Sequence, residues 1–126
     1  MATKHILLAE ADESLAHIMA LLLKQAEFMV STVKNCNEAL RALATWNTGD
    51  NPVDLLITSL HQLPQQDEQL LLARLAAGRI EIPVIIITGH DDAGLLHDLK
   101  AKGCAACITK PFAAETLMNS IQAVLQ

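Results

Sequence analysis

Val53-Asp54-Leu55-Leu56-Ile57-Thr58-Ser59 is the segment around which this chain is organised. It is short, apolar and rich in strand-forming residues. Asn51-Pro52 opens it and Leu60-His61-Gln62-Leu63-Pro64 closes it. A strand covered on both faces shows a continuous apolar run rather than alternation. The stretch therefore reads as a buried central strand ending at a small polar residue, Ser59. In open parallel sheets, ligands and chemistry gather beyond the carboxyl ends of the strands. The functional question thus narrows to what Ser59 and its neighbours at that edge can do.

The same kind of run recurs on either side of it. Residues 4–9, 28–33, 83–88 and 105–109 read as four further strands, and 83–88 is the most apolar of them. Helical stretches lie between. The first follows Asp12, whose side chain can cap it, and carries Leu15, Ile18, Leu22 and Ala26 on one face. Its Leu21-Leu22-Leu23 run is wider than one face needs, which reads as deep packing on the sheet or as a partner patch. The second is capped by Asn35, with Glu38 in a capping-box arrangement. Its apolar side is Ala39, Leu40, Leu43 and Ala44. The third runs over 68–77 with Leu70, Leu71, Leu72 and Leu75, and ends at Gly78. The fourth ends at Gly103. The last turns Leu117, Ile121, Val124 and Leu125 inward. Strand and helix alternate five times, which predicts an α/β fold: a five-stranded parallel sheet, doubly wound with helices on both faces.

Composition narrows the function. The 126 residues fit one domain spanning 1–126, and 52% hydrophobic content suffices for one core. Aromatic residues make up 2%, so Leu, Ile, Val, Ala and Met must fill that core. A net charge of −5 argues against direct nucleic-acid binding. No apolar run reaches the length of a membrane span. Residues 1–5 lead into a strand with no apolar signal region. Three cysteines argue for a reducing compartment. A cytoplasmic location is the expectation.

Four polar residues close four apolar strands. Glu10 follows the first, Ser59 the third, Thr88 the fourth and Lys110 the fifth. Together they suggest a shared pocket. At this point the chain resembles the receiver domains of two-component response regulators. Residues 6–12, ending Glu10-Ala11-Asp12, resemble the family's first strand and acidic cluster. Residues 52–59 resemble the strand that carries the phosphoacceptor. Residues 83–89 resemble the strand with a terminal hydroxyl. Lys110-Pro111-Phe112 resembles the lysine strand and its Pro junction. The resemblance covers the whole chain and implies the flavodoxin-like (βα)5 fold, a role in bacterial phosphorelay signal transduction, and no enzyme activity.

The resemblance also implies a degenerate site. The family carries an aspartate where this chain has Ser59, and a second acid where it has Ala11. The aromatic switch residue falls at Cys107, and the loop from Ser59 to Pro64 is one residue longer. The vestigial pocket is then Glu10, Ala11, Asp12, Ser59, Thr88 and Lys110. With Asp12 turned to the helix cap, Glu10 alone faces Lys110, and Mg²⁺, which favours several oxygen ligands, gains little. No cofactor is expected. Lys110, deprived of a partner at Ser59, turns to Glu10 or bonds Ser59. The expected function is protein–protein contact without phosphorylation, through the fourth helix, fifth strand and fifth helix. A histidine kinase, an effector domain or a second copy are the implied partners, and charges on the fourth helix (Asp91, Asp92, Asp98, Lys100, Lys102) set their choice. The alternative is a working receiver with an unusual acceptor. A Ser–Lys hydrolase is more remote, because no G-x-S-x-G elbow is present.

Other candidates reduce to packing. Cys104 and Cys107 form a lone C-x-x-C that enters a strand rather than opening a helix, so they read as small buried hydrophobes. Cys36 belongs to a distant helix. His61 and His90, with Glu10 and Asp91, form a conceivable metal set, but loop histidines without helical spacing read as solvated. His5, His17 and His97 read as surface residues, and Trp46 as packing at the end of the second helix.

Overall fold

The alternation seen in the sequence becomes five strands and five helices. The computed structural model describes residues 3–46, 52–60, 66–89 and 93–126. The elements are β1 (His5–Ala9), α1 (Glu13–Gln25), β2 (Met29–Val33), α2 (Cys36–Trp46), β3 (Leu55–Leu60), α3 (Gln66–Ala76), β4 (Val84–Thr88), α4 (Ala93–Ala101), β5 (Ala106–Thr109) and α5 (Ala114–Leu125). The sheet order is β2-β1-β3-β4-β5, every pair parallel. β3 is central, as its apolar run requires. It extends one residue further than the sequence suggests: Leu60 is buried and pairs with Thr88, so Ser59 is the penultimate strand residue.

The continuous runs of the central strands resolve into two alternating faces. Leu7, Leu56 and Ile86 meet α2, α3 and α4 through Ala39, Leu71 and Leu99. Ile6, Leu8, Ile57, Ile85 and Ile87 meet α1 and α5 through Met19, Leu23, Leu117 and Ile121. Each buried Leu or Ile contributes about 1.5–3 kcal/mol relative to exposure, so both faces must be covered for these strands to exist.

Helix ends follow local chemistry. Asp12 Oδ1 accepts from Leu15 N at 3.1 Å and caps α1 as expected. Asn35 Oδ1 accepts from Glu38 N at 2.9 Å, and Glu38 Oε1 reaches back to Lys34 N at 3.3 Å. Gly78 and Gly103 adopt φ of +70° and +100° after α3 and α4, the left-handed turn that glycine makes without strain.

Three predicted faces are corrected. On α1 the inward stripe is Leu15, Ala16, Met19, Ala20 and Leu23, whereas Ile18 is 55% exposed and Ala26 is exposed. Two overlapping stripes satisfied the helical spacing, and the one with small Ala16 and Ala20 lets the helix sit close to the sheet. On α2, Cys36 and Ala42 are buried and Ala44 is exposed. On α3, Leu70 is 44% exposed while Leu71, Leu72 and Leu75 are buried. The inward side of α5 holds: Leu117 and Ile121 are fully buried, and Val124 and Leu125 pack against them. His5 is also corrected, being buried at 5%. Its backbone N donates to Asp54 Oδ2 and its Nε2 lies 2.8 Å from Ser31 Oγ, so it is a satisfied core histidine. His17 and His97 are exposed as read.

Candidate functional site

Register builds the site. Ala9 pairs with Thr58 across β1 and β3, so the next residues, Glu10 and Ser59, lie side by side at the strand ends. Ser59 pairs with Ile87 and Leu60 with Thr88. Thr88 in turn pairs with Thr109, and Lys110 N donates to Thr88 O at 2.7 Å. From β1 the chain passes to β2 on one side and β3 on the other. The crevice at the end of β1 and β3 is therefore the topological switch point of the sheet.

There, one carboxylate is the hub. Ser59 Oγ donates to Glu10 Oε1 at 2.6 Å, and Lys110 Nζ approaches the same oxygen at 3.0 Å. Asp12 N donates to Glu10 Oε2 at 3.2 Å. The Glu10 side chain is 4% exposed and that of Lys110 34%. A carboxylate this buried is costly unless paired and hydrogen-bonded, and here it has an ion pair, a hydroxyl and an amide. Of the two partners open to Lys110 in the sequence, Glu10 is the one it takes. Thr88 is buried at the adjacent strand end, Ala11 is exposed on the rim, and Asp12 is exposed with its Oδ1 committed to the cap. The crevice encloses about 450 Å³, lined by Glu10, Ala11, Ser59 and Lys110 with Lys34, Asn35, Cys36, Asp67 and Glu68.

Sequence patterning places none of the last five in this lining, and two of them, Glu68 and Cys36, are buried. Glu68 is 3% exposed on the first turn of α3, where a charged residue reads as solvated. Its position near a helix amino terminus, where negative charge is favoured, was the available signal. Cys36 opens α2 beneath the crevice, with its sulfur 3.3 Å from Thr58 Oγ1. Burial is the main influence on that thiol and pushes it up to about 11.

Cys107 lies on the edge strand β5, half-buried, with its sulfur 3.1 Å from that of Cys104. Both pack into the core on the α2, α3 and α4 side, which agrees with the packing reading. His61, His90, Asp91, Asp92 and residues 61–64 of the loop after β3 lie outside the described residues, as does the side chain of Trp46. Among the described residues, no group of three His, Cys, Asp or Glu side chains is placed to hold a metal ion. No described helix is long and apolar enough to cross a membrane.

The strand order, the switch-point crevice and the Glu10–Lys110 pair accompany a family match: the response regulator receiver domain pattern covers residues 6–122. The chain belongs to the response regulator receiver domain family. It is 29% identical over 119 residues to the C4-dicarboxylate transport transcriptional regulatory protein DctD of Rhizobium meliloti, covering 94% of this chain and 25% of that protein. It is 31% identical over 121 residues to the two-component response regulator-like protein APRR5 of Arabidopsis thaliana, covering 94% of this chain and 21% of that one. The receiver thus spans about a quarter of the length of the curated relatives it matches. Among solved structures, the signal receiver domain of a putative LuxO repressor protein from Vibrio parahaemolyticus superposes with a TM-score of 0.84 at 25% identity, covering 98% of this chain and 91% of that one. A response regulator receiver protein from Burkholderia phymatum gives 0.77 at 29% identity, covering 98% and 95%. The five-stranded doubly wound fold read from the sequence is the fold of this receiver family.

Proposed function

We propose that this receiver is a degenerate one, with Ser59 at the phosphoacceptor position, and that it signals through protein contacts rather than through phosphorylation. Receiver domains are generally signalling modules that meet kinases or effector domains, and the reading departs from that pattern only in the trigger. The observation that carries it is the shared Glu10 oxygen. Ser59 and Lys110 both spend their polar contacts on Oε1, so the acid, the hydroxyl and the lysine hold one another in a single arrangement.

The donor set does not fit Mg²⁺. The ion demands near-octahedral oxygen coordination and is held by carboxylates. Glu10 has both oxygens engaged, Asp12 caps α1, and Ala11 and Ser59 bring no carboxylate. Phosphoryl transfer leans on metal neutralisation and positioning, and this donor set offers little of either.

The Ser59–Glu10 bond also gives the alternative its best support, since a carboxylate facing a hydroxyl is the arrangement of a base and a nucleophile. The same oxygen, however, already carries the Lys110 ammonium. A Ser–Lys hydrolase is disfavoured by the same geometry, because Lys110 pairs with Glu10 and the group facing Ser59 is a carboxylate. The partner face is proposed as α4, β5 and α5, where Asp98, Lys100 and Lys102 are exposed, with a kinase, an effector domain or a second copy as partner and the cytoplasm as its location.

The test is incubation with a small phosphodonor and Mg²⁺, read by intact mass. No phosphoryl gain is expected. A stable gain that disappears in Ser59→Ala would establish the serine-acceptor alternative instead.

A further inference from the structure

Cys104 and Cys107 are brought together by backbone geometry rather than by a helix. Gly103 turns the chain with φ of +100° directly ahead of Cys104. Ala105 N then donates to Val84 O at 2.8 Å, which anchors the bend to β4. Cys107 follows in register opposite Ile86. The two sulfurs meet at 3.1 Å on one side of the sheet. A disulfide requires about 2.05 Å, so the contact needs to close by roughly 1 Å.

We propose that Cys104 and Cys107 form a reversible redox site, closing to an intramolecular disulfide by exchange with low-molecular-weight disulfides.

The two sulfurs are not equivalent. Cys107 is half-buried, whereas Cys104 is 8% exposed. The hydrogen bond with Cys104 lowers the Cys107 thiol to about 7, assisted by the positive charge of Lys100 on α4. The Cys104 thiol is pushed up by that same hydrogen bond and by burial. Cys107 is thus the attacking thiolate and Cys104 the resolving thiol, since the thiolate is the nucleophile. Cys107 S⁻ attacks one sulfur of RSSR, forming a mixed disulfide and releasing RS⁻. That thiolate takes the Cys104 proton. Cys104 S⁻ then attacks the Cys107 sulfur and expels the second RS⁻. The two protein sulfurs are oxidised and one RSSR is reduced.

The bond would staple the α4–β5 turn to the edge strand at Cys107, where the family resemblance puts the aromatic switch residue. That consequence rests on the degenerate-receiver reading, but the chemistry does not. Cys36 supplies an internal control, because its thiol is buried and bonded to the Thr58 hydroxyl.

The experiment uses the folded chain, reduced and then exposed to oxidised glutathione, with intact mass, peptide mapping and circular dichroism. The expected product has lost two hydrogens, carries a Cys104–Cys107 link and is restored by dithiothreitol. Cys104→Ser should stop at one glutathionyl adduct on Cys107. Cys107→Ser should take up glutathione at least roughly tenfold more slowly. A wild-type chain that stays unmodified, keeps a persistent mixed disulfide, or links between molecules overturns the proposal. These readouts are independent of phosphoryl uptake, so failure here and failure of the signalling reading are distinguishable.

Discussion

Replacing Lys110 by methionine tests whether the Glu10 hub holds the strand-end site in one arrangement. The substitution keeps the apolar stem and removes the ammonium 3.0 Å from Glu10 Oε1. Glu10 stays buried with its side chain 4% exposed, supported among the described residues by the Ser59 hydroxyl and the Asp12 amide. Breaking a fully buried pair costs about 3–5 kcal/mol, whereas an exposed pair contributes about 0–1 kcal/mol. Lys110 is 34% exposed, so water already screens its side of the pair, and a cost of about 2 kcal/mol is expected between those limits. For a domain of this size that is a fall of roughly 8 °C in Tm. Glu10→Gln alone should cost about 1 kcal/mol, since Lys110 can then turn to water while the amide oxygen still accepts from Ser59. The double variant should recover stability relative to the sum of the two, with a coupling of about 1–2 kcal/mol. Urea unfolding followed by far-ultraviolet circular dichroism supplies all four corners of the cycle. Additivity within about 0.5 kcal/mol would refute the reasoning, because it would mean that Glu10 and Lys110 do not depend on each other.

Two further outcomes follow from the same geometry. Ala11→Asp combined with Ser59→Asp should restore negative charge at the strand ends and confer both Mg²⁺ binding by calorimetry and phosphoryl uptake by intact mass, with neither single substitution matching the pair. On α1, Leu23→Ala should cost about 2–5 kcal/mol in urea unfolding because Leu23 is fully buried, while Ile18→Ala should change stability by about 0.5 kcal/mol or less because Ile18 is 55% exposed; the reverse order would restore the stripe first read from the sequence.

What the sequence made legible was whatever depends on period and on order along the chain. Apolar runs bounded by turn residues located all five strands within a residue or two; the runs are most continuous in β1, β3 and β4, which are covered on both faces. The Glu10–Lys110 pair spans 100 residues, yet it was readable, since parallel strands bring their carboxyl ends to one edge. Legibility failed where a choice was local and the deciding partner remote. Leu15-Ile18-Leu22 and Leu15-Met19-Leu23 are equally good helical stripes, and only the sheet beneath α1 selects the second. His5 looked solvent-facing because its partners, Ser31 and Asp54, lie 26 and 49 residues away. Glu68 looked like an ordinary first-turn acid, and its burial follows only once α3 is laid over the end of β3.

The same distinction separates the two chemistries on this sheet. The strand-end site was readable from four polar residues closing four apolar strands, and the expected deficit of acids there from the family resemblance. The Cys104–Cys107 contact was not, because C-x-x-C at a strand entrance carries no helix amino terminus to favour a thiolate. In its place stand a left-handed Gly103, an amide anchored to Val84 and a lysine on the neighbouring helix. Sequence spacing puts two thiols three residues apart, but only a bend between them puts both on one side of the sheet. In an uninterrupted strand, residues three apart point to opposite faces. The interruption at Ala105 is therefore the feature on which the redox site depends.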